Sequence, residues 1–137
     1  MPRLPLLFLA TASLCLVIGV GMGVAMGIAH DFRFAPVHAH LNLLGWTSLA
    51  LMGLTYRAWP VLATGRLAVA QYALSAGAAL CFPAGIYLSI AHEAPGLAIG
   101  AALVWMAGAL LFLARLLALL LRGAPAEGRM PVLAAAE

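Results

Sequence analysis

Four uninterrupted apolar blocks dominate this chain, at about residues 4–29, 36–59, 67–91 and 95–121. Each exceeds the ~20 residues that a helix needs to cross the hydrocarbon core of a bilayer. The apolar residues fill whole blocks instead of forming one stripe, so the pattern is that of membrane spans. Charged residues are only 8% of the chain, against about 25% in soluble domains, which excludes an ordinary soluble fold. The blocks are separated by "HDFRF", "PVLATGR" and "HEAPG". Connections this short make neighbouring helices antiparallel, so the expected architecture is all-α and integral to the membrane, a four-transmembrane-helix up-and-down bundle over residues 1–122. Residues 123–137, "GAPAEGRMPVLAAAE", read as a flexible cytoplasmic tail.

The first block follows a basic residue, Arg3, as a signal peptide would. Its apolar run is about twice a typical signal-peptide core, and no small-residue cleavage motif follows it, so a retained helix is expected. Orientation follows from arginine, since the chain has no lysine. Arg3, Arg57, Arg66, Arg115, Arg122 and Arg129 fall on one side of the predicted bundle, and Arg33 falls on the other. The excess of positive charge on the cytoplasmic side then puts both termini in the cytoplasm of a bacterial-type inner membrane. The same asymmetry accounts for the net charge of +3. With no soluble basic surface, nucleic acid is not an expected partner.

The polar residues that stand out are histidines. His30 ends the first block, His38 and His40 open the second, and His92 ends the third. In the expected topology all four lie on the outer side. Imidazole is costly in hydrocarbon unless it is paired, hydrated or bound to a metal. Histidines gathered without cysteine suit a haem iron or copper. The plainer alternative is that His30 and His92, next to Asp31 and Glu93, simply sit among headgroups. Those carboxylates could also orient an imidazole from behind.

In the second block, "APVHAHLNLLGW", Pro36 suits the first turn of a helix, where its missing N–H costs nothing. Residues two apart on a helix point to nearly opposite faces, so His38 and His40 cannot serve one face of one metal. Asn42, one turn after His38, shares its face, and Trp46 is a candidate lining of a haem pocket. The site therefore comprises His38, His40, His92 and His30 as candidate ligands, with Asn42 and Trp46 as cofactor contacts.

Small residues bear on whether a cofactor slot exists. Gly19, Gly23 and Gly27 recur at four-residue spacing in the first block, and Gly96 and Gly100 do so in the fourth. Such patterns let helices approach closely, either for plain packing or around a flat ligand. Gly45, Gly53 and Gly85 allow the same. Pro83, inside the third block, predicts a kink. Cys15 and Cys81 lie mid-span and read as small apolar residues. No CxxC or CxxCH occurs, which excludes a dithiol pair and a covalently attached haem. Met22, Met26, Met52 and Met106 read as filler, and Trp59, beside Tyr56 and Arg57, as an interface anchor. No set of residues supports hydrolase or kinase chemistry.

The stretch "PVHAHLNLLGWTSLALMGLTYR", residues 36–57, resembles the second-helix segment of subunit I of the haem–copper oxidases and nitric oxide reductases. Small standalone subunit I-like membrane proteins share its "HAHLNLLGW" character. In that family a histidine near the outer end of this helix is an axial ligand of a b-type or a-type haem. The resemblance thus implies His38 or His40 as the ligand. The full subunit carries many more helices than four, and this chain has no match to its copper ligands, its high-spin haem ligand or its histidine–tyrosine crosslink. Complete oxygen reduction is therefore not expected. What the resemblance implies is a small b-type cytochrome for electron transfer or for O2 or NO chemistry, a haem-dependent oxidoreductase if it is catalytic. A second imidazole would come from His92, His30 or a neighbouring subunit, and haem near a subunit interface implies a homo-oligomer. A respiratory-chain donor or acceptor is the expected redox partner. The alternative is a copper-binding or assembly subunit of a respiratory complex, using the same histidines.

Overall fold

A computed structural model describes residues 3–122. The expected tail at 123–137 lies outside the described residues. Helix α1 runs from Leu4 to Ala29. A short helix α2, Ala35–His40, leads into a π-helical segment, Leu41–Ser48, and then helix α3, Leu49–Ala58. A 3-10 turn, Pro60–Ala63, connects to α4, Gly65–His92, and α5 spans Gly96–Arg122. Among the described residues there is no strand.

Three helices are long and apolar enough to cross a membrane: Leu4–Ala29, Gly65–His92 and Gly96–Leu121. Residues 35–58 form a fourth helical run, because Leu41, Ser48 and Leu49 keep right-handed helical dihedrals where the hydrogen-bond register changes. The sequence predicts one plain helix here. The structure divides it, and its longest regular stretch is the 10-residue α3. Helix α4 continues through Pro83, which is buried within it.

Side-chain contacts fix the direction of each helix against the next. Phe8, Cys15, Gly19 and Gly23 of α1 meet Gly53, Gly45, Asn42 and His38 in turn, so α1 and the second run are antiparallel. Tyr56 meets Gln71 near the start of α4, and His40 meets Phe82 further along it. Gly85 and Ser75 of α4 meet Ala98 and Gly108 of α5 in reversed order. The up-and-down connectivity therefore follows from the short loops, as expected.

The core lies between α1, α3 and α4. Phe8, Ala12, Leu49, Tyr56, Ala68 and Ala79 are buried there. Phe8 packs edge-on against Tyr56 and Tyr72, with ring centroids 5.4 and 4.9 Å away. Such edge-to-face pairs add about 0.5–1.5 kcal/mol beyond the area they bury. The outward faces stay apolar, as Val17, Val24 and Ile28 on α1 and Leu103, Leu110 and Leu117 on α5 show. A soluble protein rarely exposes so much contiguous apolar surface.

The glycines divide into those at contacts and those in open space. A Cβ on Gly45 would fall 2.7 Å from the Cys15 side chain, and one on Gly53 2.9 Å from Phe8 Cβ. Gly96 and Gly100, expected to form a close seam, have open space around them. The close approach of α4 and α5 is made instead at Gly85, where a Cβ would overlap the Ala98 backbone, and at Gly108 against Ser75. Backbone cannot yield cheaply, so Gly85→Ala is expected to cost about 1–3 kcal/mol. Gly100→Ala should leave stability unchanged or raise it by up to about 1 kcal/mol. Thermal unfolding of the two variants in detergent measures the contrast.

Candidate functional site

The end of the molecule that carries the histidines is built from the C-termini of α1 and α4 and the start of the second run. Pro36 occupies the first turn of α2, as its fixed φ and missing N–H favour. Val37 turns inward, and His38 and His40 follow in the last turn. The π-helical register begins at the next residue. In that segment Ser48 Oγ donates to the Leu43 carbonyl, five residues back, over 2.8 Å. π-helical turns are rare and often mark functional positions.

His38 faces α1. Its Nδ1 lies 2.8 Å from the Gly19 carbonyl oxygen. A carbonyl only accepts, so Nδ1 carries the proton and Nε2 is left with a bare lone pair. The ring lies beside Gly23, where a Cβ would come 3.0 Å from Cε1. Asn42 lies one turn further on the same face, as the helical spacing requires. Its Nδ2 donates to the His38 carbonyl at 2.9 Å. The amide also fills the space over Gly19, where a Cβ would fall 2.5 Å from Nδ2.

His40 faces the other way, toward α4. Its Nδ1 donates to the Pro36 carbonyl, one turn back, at 2.8 Å. The ring stands edge-on to Phe82 with centroids 5.0 Å apart. It thus has the same tautomer as His38, with Nε2 bare. Two histidines on opposite faces therefore share one local chemistry: an imidazole whose Nδ1–H is held by a main-chain carbonyl. Metal-bound histidines almost always show this arrangement, because the second hydrogen bond sets the tautomer and raises the basicity of the ligating nitrogen.

His30 and His92 are less constrained. His30 closes α1 in the left-handed conformation, φ 49°, with its N–H bonded to the Met26 carbonyl, and it is exposed. His92 is the last residue of α4, exposed, with its ring edge-on to Tyr87 at 6.4 Å. The loop after α1 is tied to this helix end, since Arg33 Nη2 donates to the Ile90 carbonyl at 3.2 Å and Phe34 packs on Tyr87. Asp31 accepts the Arg33 main-chain N–H at 2.9 Å, so its hydrogen bond goes to the loop and not to an imidazole. All four histidines share one end of the molecule. They do not converge: among the described residues no three His, Cys, Asp or Glu side chains are placed to hold one metal ion. Trp46 packs half-buried against the main core cluster.

The most extensive polar network lies at the opposite end, and sequence reasoning missed it. Tyr56, Gln71 and Ser75 are fully buried. Tyr56 Oη donates to Gln71 Oε1 at 3.0 Å, and Gln71 Nε2 donates to Ser75 Oγ at 3.0 Å and to Met52 Sδ at 3.2 Å. Arg115 of α5 donates to Tyr56 Oη at 2.6 Å, to the Leu62 carbonyl, and to the Thr64 carbonyl at 3.3 Å. Two signals were present in the sequence. Gln71 and Ser75 are polar residues one helical turn apart inside an apolar block, and Arg115 lies seven residues before Arg122 and so within the fourth block.

No family model matches the chain, and no curated protein or solved structure matches it.

The network at the second end makes a stability prediction. Gln71→Leu removes the shared partner of Tyr56 and Ser75 and leaves both hydroxyls buried. Single interhelical hydrogen bonds in membranes are worth about 0.6–1.7 kcal/mol, so a loss of about 2 kcal/mol is expected, measured by thermal unfolding in detergent.

Proposed function

We propose that the chain is a four-span integral membrane protein, with both termini cytoplasmic, that binds a haem b through Nε2 of His38 or His40. It is a small b-type cytochrome related to the haem–copper oxidase subunit I core. The observation that carries this reading is the pair of carbonyl-held imidazoles, His38 Nδ1 on Gly19 O and His40 Nδ1 on Pro36 O, each leaving Nε2 bare. The three apolar helices and the second run, residues 35–58, supply the spans.

The donor set fits haem better than a free ion. A porphyrin brings four nitrogens of its own, so one or two imidazoles complete the iron's coordination. A copper site assembled by the protein alone needs several side chains together, and no three candidate ligands are so placed among the described residues. The space between α1 and the second run is filled by the His38 and Asn42 side chains over Gly19 and Gly23. On this reading a haem would be held together with a second copy of the chain, and the protein is a homo-oligomer. His30, His92 or the neighbouring copy would contribute a second imidazole.

When bound, haem would supply a one-electron couple and could bind O2 or NO. The residues of this chain do the rest. The Gly19 and Pro36 carbonyls hold the two rings in fixed tautomers and orientations. Asn42 satisfies the His38 carbonyl beside the change of helical register.

Absorption spectra of the purified, haem-supplemented protein, beside His38→Ala and His40→Ala, test this. The expected result is a Soret band and a reduced α-band in the wild type, lost in one histidine variant and kept in the other. A wild type without either band contradicts the proposal, and the variant that loses the signal identifies the ligand.

A further inference from the structure

At the end of the molecule away from the histidines, an apolar cleft of about 340 Å3 opens beside Arg115, lined by Val61, Leu62, Leu67, Ala118 and Leu119. A second depression of about 240 Å3, lined by Trp59, Leu116, Leu119 and Leu120, shares Leu119 with it. Arg115 is half-buried, and its partners are the hydroxyl and the ring of Tyr56 and two main-chain carbonyls, all neutral. The chain has only four carboxylates. Asp31 and Glu93 lie at the histidine end, and Glu127 and Glu137 lie outside the described residues. Among the described residues, therefore, the Arg115 charge has no counter-ion. A half-buried cation against aliphatic walls is costly unless an anion reaches it.

The surroundings say which anion. Trp59, 47% exposed, stands at the end of α3, where an amphipathic ring marks the depth of lipid headgroups. Arg57 and Arg66 are exposed on the same side but outside the lining of the cleft. A cleft that combines a guanidinium with long aliphatic walls is complementary to a phosphodiester carrying an acyl chain, and basic pockets between spans on the cytoplasmic side bind such headgroups. We infer that this cleft is a binding site for an anionic glycerophospholipid, with the phosphodiester on Arg115 and an acyl chain along Val61, Leu67 and Leu119. The lipid braces the Pro60–Ala63 turn and the inner half of α5 against α4. The inference rests on the membrane half of the proposed function and not on its haem half.

Native mass spectrometry of the full-length protein in detergent, with equal amounts of phosphatidylglycerol and phosphatidylcholine, tests it. The wild type is expected to retain phosphatidylglycerol about fivefold over phosphatidylcholine, the factor that one basic side chain contributes near an anionic lipid. Arg115→Gln should bring the ratio near parity. Arg57→Gln, with the same charge change on the same side, should leave it as in the wild type. Leu67→Trp, at an exposed rim position, occupies the cleft while sparing the Arg115 hydrogen bonds. It should lower retained phosphatidylglycerol, and it decides the question if Arg115→Gln does not fold. Excess inorganic phosphate should not displace the lipid. Equal retention of the two lipids by the wild type, an equal loss in Arg57→Gln, or displacement by phosphate overturns the inference. Flotation separates it from the membrane reading itself. A protein that floats with phosphatidylcholine vesicles yet shows no lipid preference contradicts this inference alone, whereas one that stays soluble without detergent contradicts the spans.

Discussion

The close approach of α1 to the second helical run governs the rest of the molecule. It is made where glycine on one helix receives a side chain of the other: Gly53 receives Phe8, Gly45 receives Cys15, Gly19 receives Asn42 and Gly23 receives His38. In a bilayer, where lipid is as apolar as leucine, helices associate through this kind of fit and through hydrogen bonds between them. The His38 bond to the Gly19 carbonyl exists only because Gly19 and Gly23 leave room for the ring and the amide beside it. The packing therefore sets the tautomer of His38.

The register change after His40 belongs to the same arrangement. An α-helix that continued unaltered through Leu41–Ser48 would carry its side chains in a different phase against α1 and α4. The π-helical segment instead places Asn42 over Gly19 and Gly45 against Cys15, and α3 then delivers Tyr56 into the core with Phe8. The run thus serves two polar regions at once. The histidines are presented at one end, and at the other Tyr56 joins Gln71 and Arg115 in a network that closes the Pro60–Ala63 turn.

Much of this was legible in the sequence, for physical reasons. Block length and short loops impose helices and antiparallel neighbours. The helical turn angle correctly separates His38 from His40 and joins His38 to Asn42. Three things were not legible. A change of hydrogen-bond register has no composition signature, so the second run reads as a single helix. Glycine spacing announces a close contact but not which contact, so Gly96 and Gly100 look equivalent to Gly19 and Gly23 while only the second pair meets a neighbour. The network at the end away from the histidines escaped because Arg115 reads as a topology charge, and only the fold shows that it turns back onto Tyr56 and the Leu62 carbonyl.

The proposed function needs His38 and His40 to hold their proton on Nδ1, against the Gly19 and Pro36 carbonyls, with Nε2 bare. Solid-state nitrogen NMR of the histidine-labelled, haem-free protein in bilayers reads that proton directly. Both imidazoles are expected to carry a proton on Nδ1, with Nε2 unprotonated in the neutral ring. Protonation at Nε2 in both rings would contradict it, since the nitrogen offered to a metal would then be the wrong one.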